Sequence, residues 1–276
     1  MTTKTILVTG ATGKTGSRII HKLEARGCLV RAGSRSAAIP FDWQDRDTWR
    51  PVLTDIKAVY ICYYPDFAFP GALDNLQAFV ENAMQAGVER FVMITGRGEE
   101  HALRAEALVR SSGVDTTILR CAWFAQNFSE GNLHDAVMGD VVPMPGGDVS
   151  EPMVDLDDVA DVAVAALTED GHWDQVYELT GPRLMTFEEI AGVLTAATGR
   201  TISYVPISFD DFHAELEAAA GSTYADIVTD IARDTFDGRN AYVGDGIERV
   251  LGRAPRDFTL FAAQAAQAGT WSLADC

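Results

Sequence analysis

The chain has 276 residues, 47% of them hydrophobic, which is ample for a packed core and speaks against global disorder. Its formal net charge of −18 repels phosphate backbones, so no nucleic-acid partner is expected. Charges or turn residues interrupt every apolar run, and Met1 to Lys4 lead straight into a strand-like segment, so neither a membrane span nor a secretory leader is expected and the expected location is cytoplasmic.

In chain order, Thr5 to Thr9 reads as a short strand and Thr15 to Arg26 as a helix carrying Ile19, Ile20 and Leu23 on one face, with Gly27 as its stop. Cys28 to Ala32 is a second strand. Ala58 to Tyr63 is a continuous apolar run, the pattern of a strand buried on both faces. A helix from Leu73 to Ala86, a strand from Arg90 to Thr95, a helix from Ala102 to Ser111 and a strand from Thr116 to Leu119 follow. Pro143 to Pro152 reads as a loop and Asp157 to Leu167 as a helix. Val176 to Thr180 is a strand. Thr186 with Glu189 has the spacing of a capping box for a helix to Thr198. Beyond these come a strand at Ile202 to Val205 and helices at Phe209 to Ala220, Ala225 to Asp234 and Phe258 to Ala268. Strands alternating with helices imply parallel pairing through right-handed crossovers. The expected fold is α/β, a Rossmann-type doubly wound parallel sheet with a small C-terminal substrate lobe. Residues 1–150 are expected to form the nucleotide-binding core, and residues 151–276 the remaining core elements plus the lobe.

The turn between the first strand and helix is Gly10-Ala11-Thr12-Gly13-Lys14-Thr15-Gly16. Glycines at this place turn tightly, let the backbone approach a pyrophosphate and pack the helix against the strand, while the helix N-terminus offers free N–H groups to the phosphates. The second strand ends in Arg31-Ala32-Gly33-Ser34-Arg35, with no acid to hold a ribose 2′-hydroxyl. An arginine beside a hydroxyl suits a 2′-phosphate, and Lys14 in the turn can add a second positive charge, so the expected cofactor is NADP(H). Cys28, Cys62, Cys121 and Cys276 are widely spaced, read as reduced thiols, and suggest neither a disulfide frame nor a metal site. The acids from Asp155 to Asp161 read as helix-capping and surface residues, with no histidine nearby to make a metal site.

Val8 to Gly16 resembles the fingerprint of atypical short-chain dehydrogenase/reductases of the NmrA-like type. Asp42-Trp43, Ile118-Leu119-Arg120 with Trp123-Phe124-Ala125-Gln126-Asn127-Phe128, Val154 to Asp161 and Tyr177 to Pro182 are similar to further segments of that group, and the likeness runs from residue 5 to about 256. The resemblance implies cofactor contacts from Gly10, Thr12, Gly13, Lys14, Thr15, Gly16 and Arg35, an adenine contact from Asp42 and Trp43, and contacts from Cys62, Tyr63, Thr95 and Gly96 toward the nicotinamide half. It implies a substrate pocket lined by Tyr64, Trp123, Phe124, Asn127 and Phe128. Members of the group include quinone reductases, iminium reductases of ergot alkaloid synthesis, and regulators that bind the cofactor without catalysis. The link from Arg35 to Asp42 is shorter than usual in the group, so a third strand there would be clipped to Ile39-Pro40-Phe41, and Cys121 stands where proline is usual.

Short-chain dehydrogenases commonly pair a tyrosine acid with a lysine four residues on. Lysine occurs here only at positions 4, 14, 22 and 57, so that pair is absent. Catalysis must do without such an acid or use another group. The candidates are His101, Thr95 and Tyr64, each of which also has a plain structural reading: a solvated helix start, a strand-end cap and an aromatic wall. Glu99 and Glu100 suit a helix N-terminus and need no catalytic role. The sequence favours an NADPH-dependent reductase of a small apolar electrophile (a quinone, an imine or iminium, an enone or a ketone). It leaves open a non-catalytic NADP(H) sensor and a non-redox enzyme on the same fold.

Overall fold

The structure is a computed structural model that describes residues 5–131 and 133–273. Met1 to Lys4 and Cys276 lie outside the described residues. The elements run β1 (Thr5–Thr9), α1 (Lys14–Ala25), β2 (Leu29–Gly33), α2 (Trp49–Leu53), β3 (Ile56–Ile61), α3 (Ala72–Gln85), β4 (Arg90–Gly96), α4 (Glu100–Arg110) and β5 (Asp115–Cys121). They continue with α5 (Asn127–Glu130), α6 (His134–Met138), β6 (Val141–Met144), α7 (Leu156–Thr168), β7 (Val176–Leu179), α8 (Phe187–Thr198) and β8 (Ser203–Pro206). The last are α9 (Phe209–Ala220), α10 (Ser222–Thr235), α11 (Gly246–Leu251) and α12 (Phe258–Gln267). Six strands form one parallel sheet in the order β2-β1-β3-β4-β5-β7.

Alternate residues of each strand serve opposite faces. Ile6, Val8, Tyr60, Val92 and Leu119 pack with Ile19 and Leu23 of α1 and the apolar face of α7. Leu7, Val59, Ile61, Phe91 and Ile118 pack on the other face with Trp49, Leu76 and Phe79. Two covered faces explain why these strands read as unbroken apolar runs, and they make the sheet doubly wound, as the sequence predicts. A third cluster, with Phe128, Val142, Phe187, Phe236, Phe258 and Trp271, forms the lobe around the two-stranded parallel pair β6–β8. The capping box of α8 is present: Glu189 N–H donates to Thr186 Oγ1 at 3.2 Å, and Thr186 N–H donates to Glu189 Oε2 at 2.8 Å.

Three expectations change. The clipped strand at Ile39-Pro40-Phe41 does not form, and the third strand along the chain is β3. The chain there is held instead by aromatic packing: Trp43 lies 5.0 Å from Phe41, 4.9 Å from Phe79 and 6.2 Å from Trp49, and Trp49 Nε1 donates to the Asp42 carbonyl at 2.7 Å. Pro143 and Met144 belong to β6 rather than to a loop, because an edge strand tolerates proline. The acids of α7 are not all on the surface. Asp155 caps the helix by accepting from Asp157 N–H, and Asp158 is fully buried. Asp158 accepts from Arg253 Nη2 at 2.7 Å, from the Arg256 backbone N–H at 2.6 Å and from the Arg256 guanidinium. Asp161 bridges Arg253 to Lys22 of α1, so this cluster fastens the segment before α12 to the core. Among the described residues no helix is long and apolar enough to cross a membrane.

Candidate functional site

A parallel doubly wound sheet leaves a crevice beyond the carboxyl ends of its strands. Here the ends of β1 to β5 open onto one cleft of about 800 Å³. Thr9 ties the end of β1 to that of β3, since its hydroxyl donates to the Tyr60 carbonyl at 2.9 Å and accepts from Cys62 N–H at 2.9 Å.

The glycine turn forms one wall. Gly10 has φ +65°, a conformation that disfavours side chains, and Gly13 N–H donates back to the Gly10 carbonyl at 2.9 Å. Gly13 is the N-cap of α1 and supplies no side-chain cap, so the first-turn N–H groups face the cleft without one. Gly16 does not line the cleft. A Cβ there would lie 2.2 Å from the Gly10 carbonyl oxygen, so its bareness is what lets helix and turn close together. Such a cradle fits a pyrophosphate.

At the β2 end, Ser34 and Arg35 line the cleft. Arg35 is exposed and has no hydrogen bond or ion pair among the described residues. Arg31 is turned away, donating to the carbonyls of Val52 and Thr54. Asp42 and Trp43 are in the same wall. One Asp42 oxygen accepts from Gln44 N–H, and Trp43 Nε1 donates to the Cys62 carbonyl at 3.1 Å. Lys14 reaches the other way, toward the β5 side, where its ammonium donates to Asn127 Oδ1 at 2.7 Å. Burial lowers its pKa, with Glu130 opposing. Lys14 therefore ties the turn to the lobe and stands apart from Arg35 across the sheet order.

The opposite half of the cleft is lined by Cys62, Tyr63, Tyr64, Asp66 and Phe67 after β3, by Ile94, Thr95, Gly96 and Glu99 at the end of β4, and by Cys121 to Phe124 with Asn127 after β5. Burial pushes the Cys62 thiol up. Tyr63 packs 4.7 Å from Trp43 and 5.3 Å from Phe67, and Trp123 packs 5.0 Å from Phe236, so the wall is fixed from behind. Tyr64 is 73% exposed at the rim, with no partner on its hydroxyl among the described residues. Thr95 is buried, and its hydroxyl donates to Glu106 Oε1 at 2.9 Å, a carboxylate that Arg120 also holds. His101 is exposed in the first turn of α4 and outside the cleft wall. Phe128 is fully buried in the lobe, 5.4 Å from Phe258, and also outside it.

Two further acids stand in the wall: Asp66, which the sequence does not single out, and Glu99, expected there only to favour the start of a helix. Both carboxyls are pushed above the usual range, first by burial; Asp66 and then Asp234 add to the effect on Glu99, which reaches about 8. Nothing local marks Glu99 as different from its neighbour Glu100, which pairs with Arg104.

A family model described as NAD(P)H-binding matches residues 10–170, a span that holds the cradle, both cleft walls and most of the sheet. The chain belongs to the NAD(P)H-binding family. It is 28% identical to festuclavine dehydrogenase of Aspergillus fumigatus over 289 residues, covering 94% of this chain and 97% of that protein. Its fold matches a nucleoside-diphosphate-sugar epimerase of Staphylococcus aureus (TM-score 0.82, 19% identity, 94% of this chain and 99% of the other). It also matches the triphenylmethane reductase of Citrobacter sp. complexed with NADP(H) (TM-score 0.77, 21% identity, 95% and 99%). This is the fold of the NmrA-like short-chain dehydrogenase/reductases that the glycine turn and the downstream motifs resemble.

Proposed function

We propose that this NAD(P)H-dependent oxidoreductase is an NADPH-dependent reductase that transfers hydride to a small, largely apolar electrophile. The observation that carries the reading is the continuity of the cleft: the phosphate cradle at Gly10–Lys14 runs without a break into an aromatic pocket of Tyr63, Tyr64, Phe67, Trp123 and Phe124. Cavities of this size, mostly apolar with a few polar groups, suit small-molecule sites. Gly10, Thr12, Gly13 and the first turn of α1 would hold the pyrophosphate, and Ser34 with the free Arg35 would hold the 2′-phosphate. When bound, the reduced nicotinamide supplies a hydride. The protein orients the acceptor and excludes water from it.

The donors expected for the proton differ in their freedom. Thr95 is committed to Glu106, His101 faces solvent, and of the three only Tyr64 has, among the described residues, a free hydroxyl in the wall. An iminium needs no proton on reduction and a quinone can take one from water, so both are preferred over a plain ketone in the reading from these three groups.

The test is a panel of quinones, cyclic iminium ions and enones offered with NADPH. The expected result is loss of the reduced-nicotinamide absorbance with at least one of these classes. Turnover without net change at the nicotinamide would favour a non-redox enzyme, and cofactor binding with no turnover of any compound would favour a sensor.

A further inference from the structure

We propose that Glu99 is the proton donor for neutral acceptors in this cleft, in the place that a tyrosine–lysine pair takes in other short-chain dehydrogenases. The inference rests on the reductase reading above.

Glu99 occupies the N-cap position of α4 yet makes no capping hydrogen bond. Its side chain turns back over Gly96 instead. A Cβ on Gly96 would lie 1.8 Å from Glu99 Oε1 and 2.5 Å from Cδ, so only a bare glycine lets the carboxyl lie there. Gly96 ends β4 in the floor of the cleft, three strands in the sheet order from the Arg35 wall. With the pyrophosphate over β1 and the adenosine half toward β2, this is the side on which the reacting end of a dinucleotide would lie.

No cation or hydrogen-bond donor holds Glu99 among the described residues. The other acids of α4 are committed: Glu100 to Arg104, Glu106 to Arg120 and Thr95. The charged groups that face it are Asp66 from the loop after β3 and Asp234 from α10. Asp234 is itself paired with Arg239 at 3.2 Å, and His101 acts on Asp66. Burial and these two acids keep the Glu99 carboxyl protonated up to about pH 8, so at neutral pH it is an acid and not a base.

The step balances simply. As hydride bonds to the electrophilic carbon, the π pair of the C=O group, direct or conjugated, moves onto oxygen. The Glu99 O–H bond breaks and its proton bonds to that oxygen. The carboxylate left behind regains a proton from water on the open side of the cleft. A preformed iminium is neutralised by the hydride alone and so bypasses Glu99.

The experiment is Glu99→Gln, an isosteric change, examined in three ways. NADPH affinity should be unchanged. Turnover of an enone or quinone should fall on the order of 10²-fold, while iminium turnover is kept. The wild-type rate with the neutral acceptor should fall tenfold per pH unit above about 8, and this limb should be missing in the variant. Difference infrared spectroscopy, which needs no turnover, should show a protonated carboxyl band at neutral pH that titrates near the same pH and is missing from the variant. Asp66→Asn removes a like charge and should move both the limb and the band to lower pH. A variant that keeps the neutral-acceptor rate and its pH limb, or a Glu99 already ionised at neutral pH, would overturn the inference while leaving the reductase reading intact. A wild type that binds NADPH but reduces nothing in the panel would remove that reading, and the role of Glu99 with it.

Discussion

Gly16→Ala is expected to weaken NADPH binding by about 10- to 100-fold without disturbing the rest of the sheet. The added Cβ would sit 2.2 Å from the Gly10 carbonyl oxygen, 2.8 Å from its carbon and 3.0 Å from Ala11 Cα. All three are backbone atoms of the cradle, so no side chain can swing aside. Either α1 withdraws or the turn shifts, and both move the N–H groups that would hold the pyrophosphate. Forcing a methyl group into a close-packed site costs about 1–3 kcal/mol, and about 1.4 kcal/mol corresponds to tenfold in affinity. Gly13→Ala provides the graded control. Its Cβ would meet the Gly10 oxygen at 3.2 Å, a contact that relaxes within a few tenths of an ångström, so its effect should be smaller. Calorimetric titration measures both, and equal, small effects would show that the turn does not carry the phosphates.

Asp158→Ala is expected to destabilise the fold by about 3 kcal/mol, the lower end of the range for removing one partner of a buried ion pair. The lower end applies because Asp158 is fully buried whereas Arg253 and Arg256 keep 39% and 29% of their side chains exposed and can rehydrate. The substitution also frees the Arg256 backbone N–H and loosens the segment between α11 and α12 from α7. Urea unfolding should show the loss as a lower midpoint. NADPH affinity of the folded fraction should be kept, because this cluster lies on the α1–α7 side of the sheet and contributes nothing to the cleft wall. A change under about 1 kcal/mol, the value of an exposed pair, would mean that the cluster is a surface feature after all.

The parts of this molecule that follow local patterns were legible in its residues. The β1–turn–α1 unit announces itself because a short apolar strand, spaced glycines and an amphipathic helix are adjacent in the chain. β3, β4 and β5 are legible because burial on both faces leaves no polar alternation to confuse them, and α8 because Thr186 and Glu189 sit at a fixed spacing. The segment from Ile39 to Trp49 was not legible. Its place is fixed by ring packing of Phe41, Trp43 and Trp49 on Phe79 and Tyr63, which are far along the chain, and no periodicity records such contacts. The same holds for the acids. Asp158 and Glu99 look like ordinary helix-start residues until Arg253 and Arg256 arrive at one and Asp66 and Asp234 face the other. Their chemistry comes from burial among residues distant in sequence. Lys14 is a smaller case: its charge is evident in the turn, but its direction is set by Asn127, more than a hundred residues later.

The most direct test of the central claim is a paired titration of NADPH and NADH into the wild type and Arg35→Ala. Both dinucleotides are expected to bind the wild type, NADPH the more tightly, and the variant to lose this preference by weakening NADPH alone, since Arg35 is a guanidinium at the β2 end of the cleft with no partner among the described residues. Equal weakening of both cofactors would contradict the role given to Arg35, and failure of either dinucleotide to bind the wild type at millimolar concentration would contradict the account as a whole.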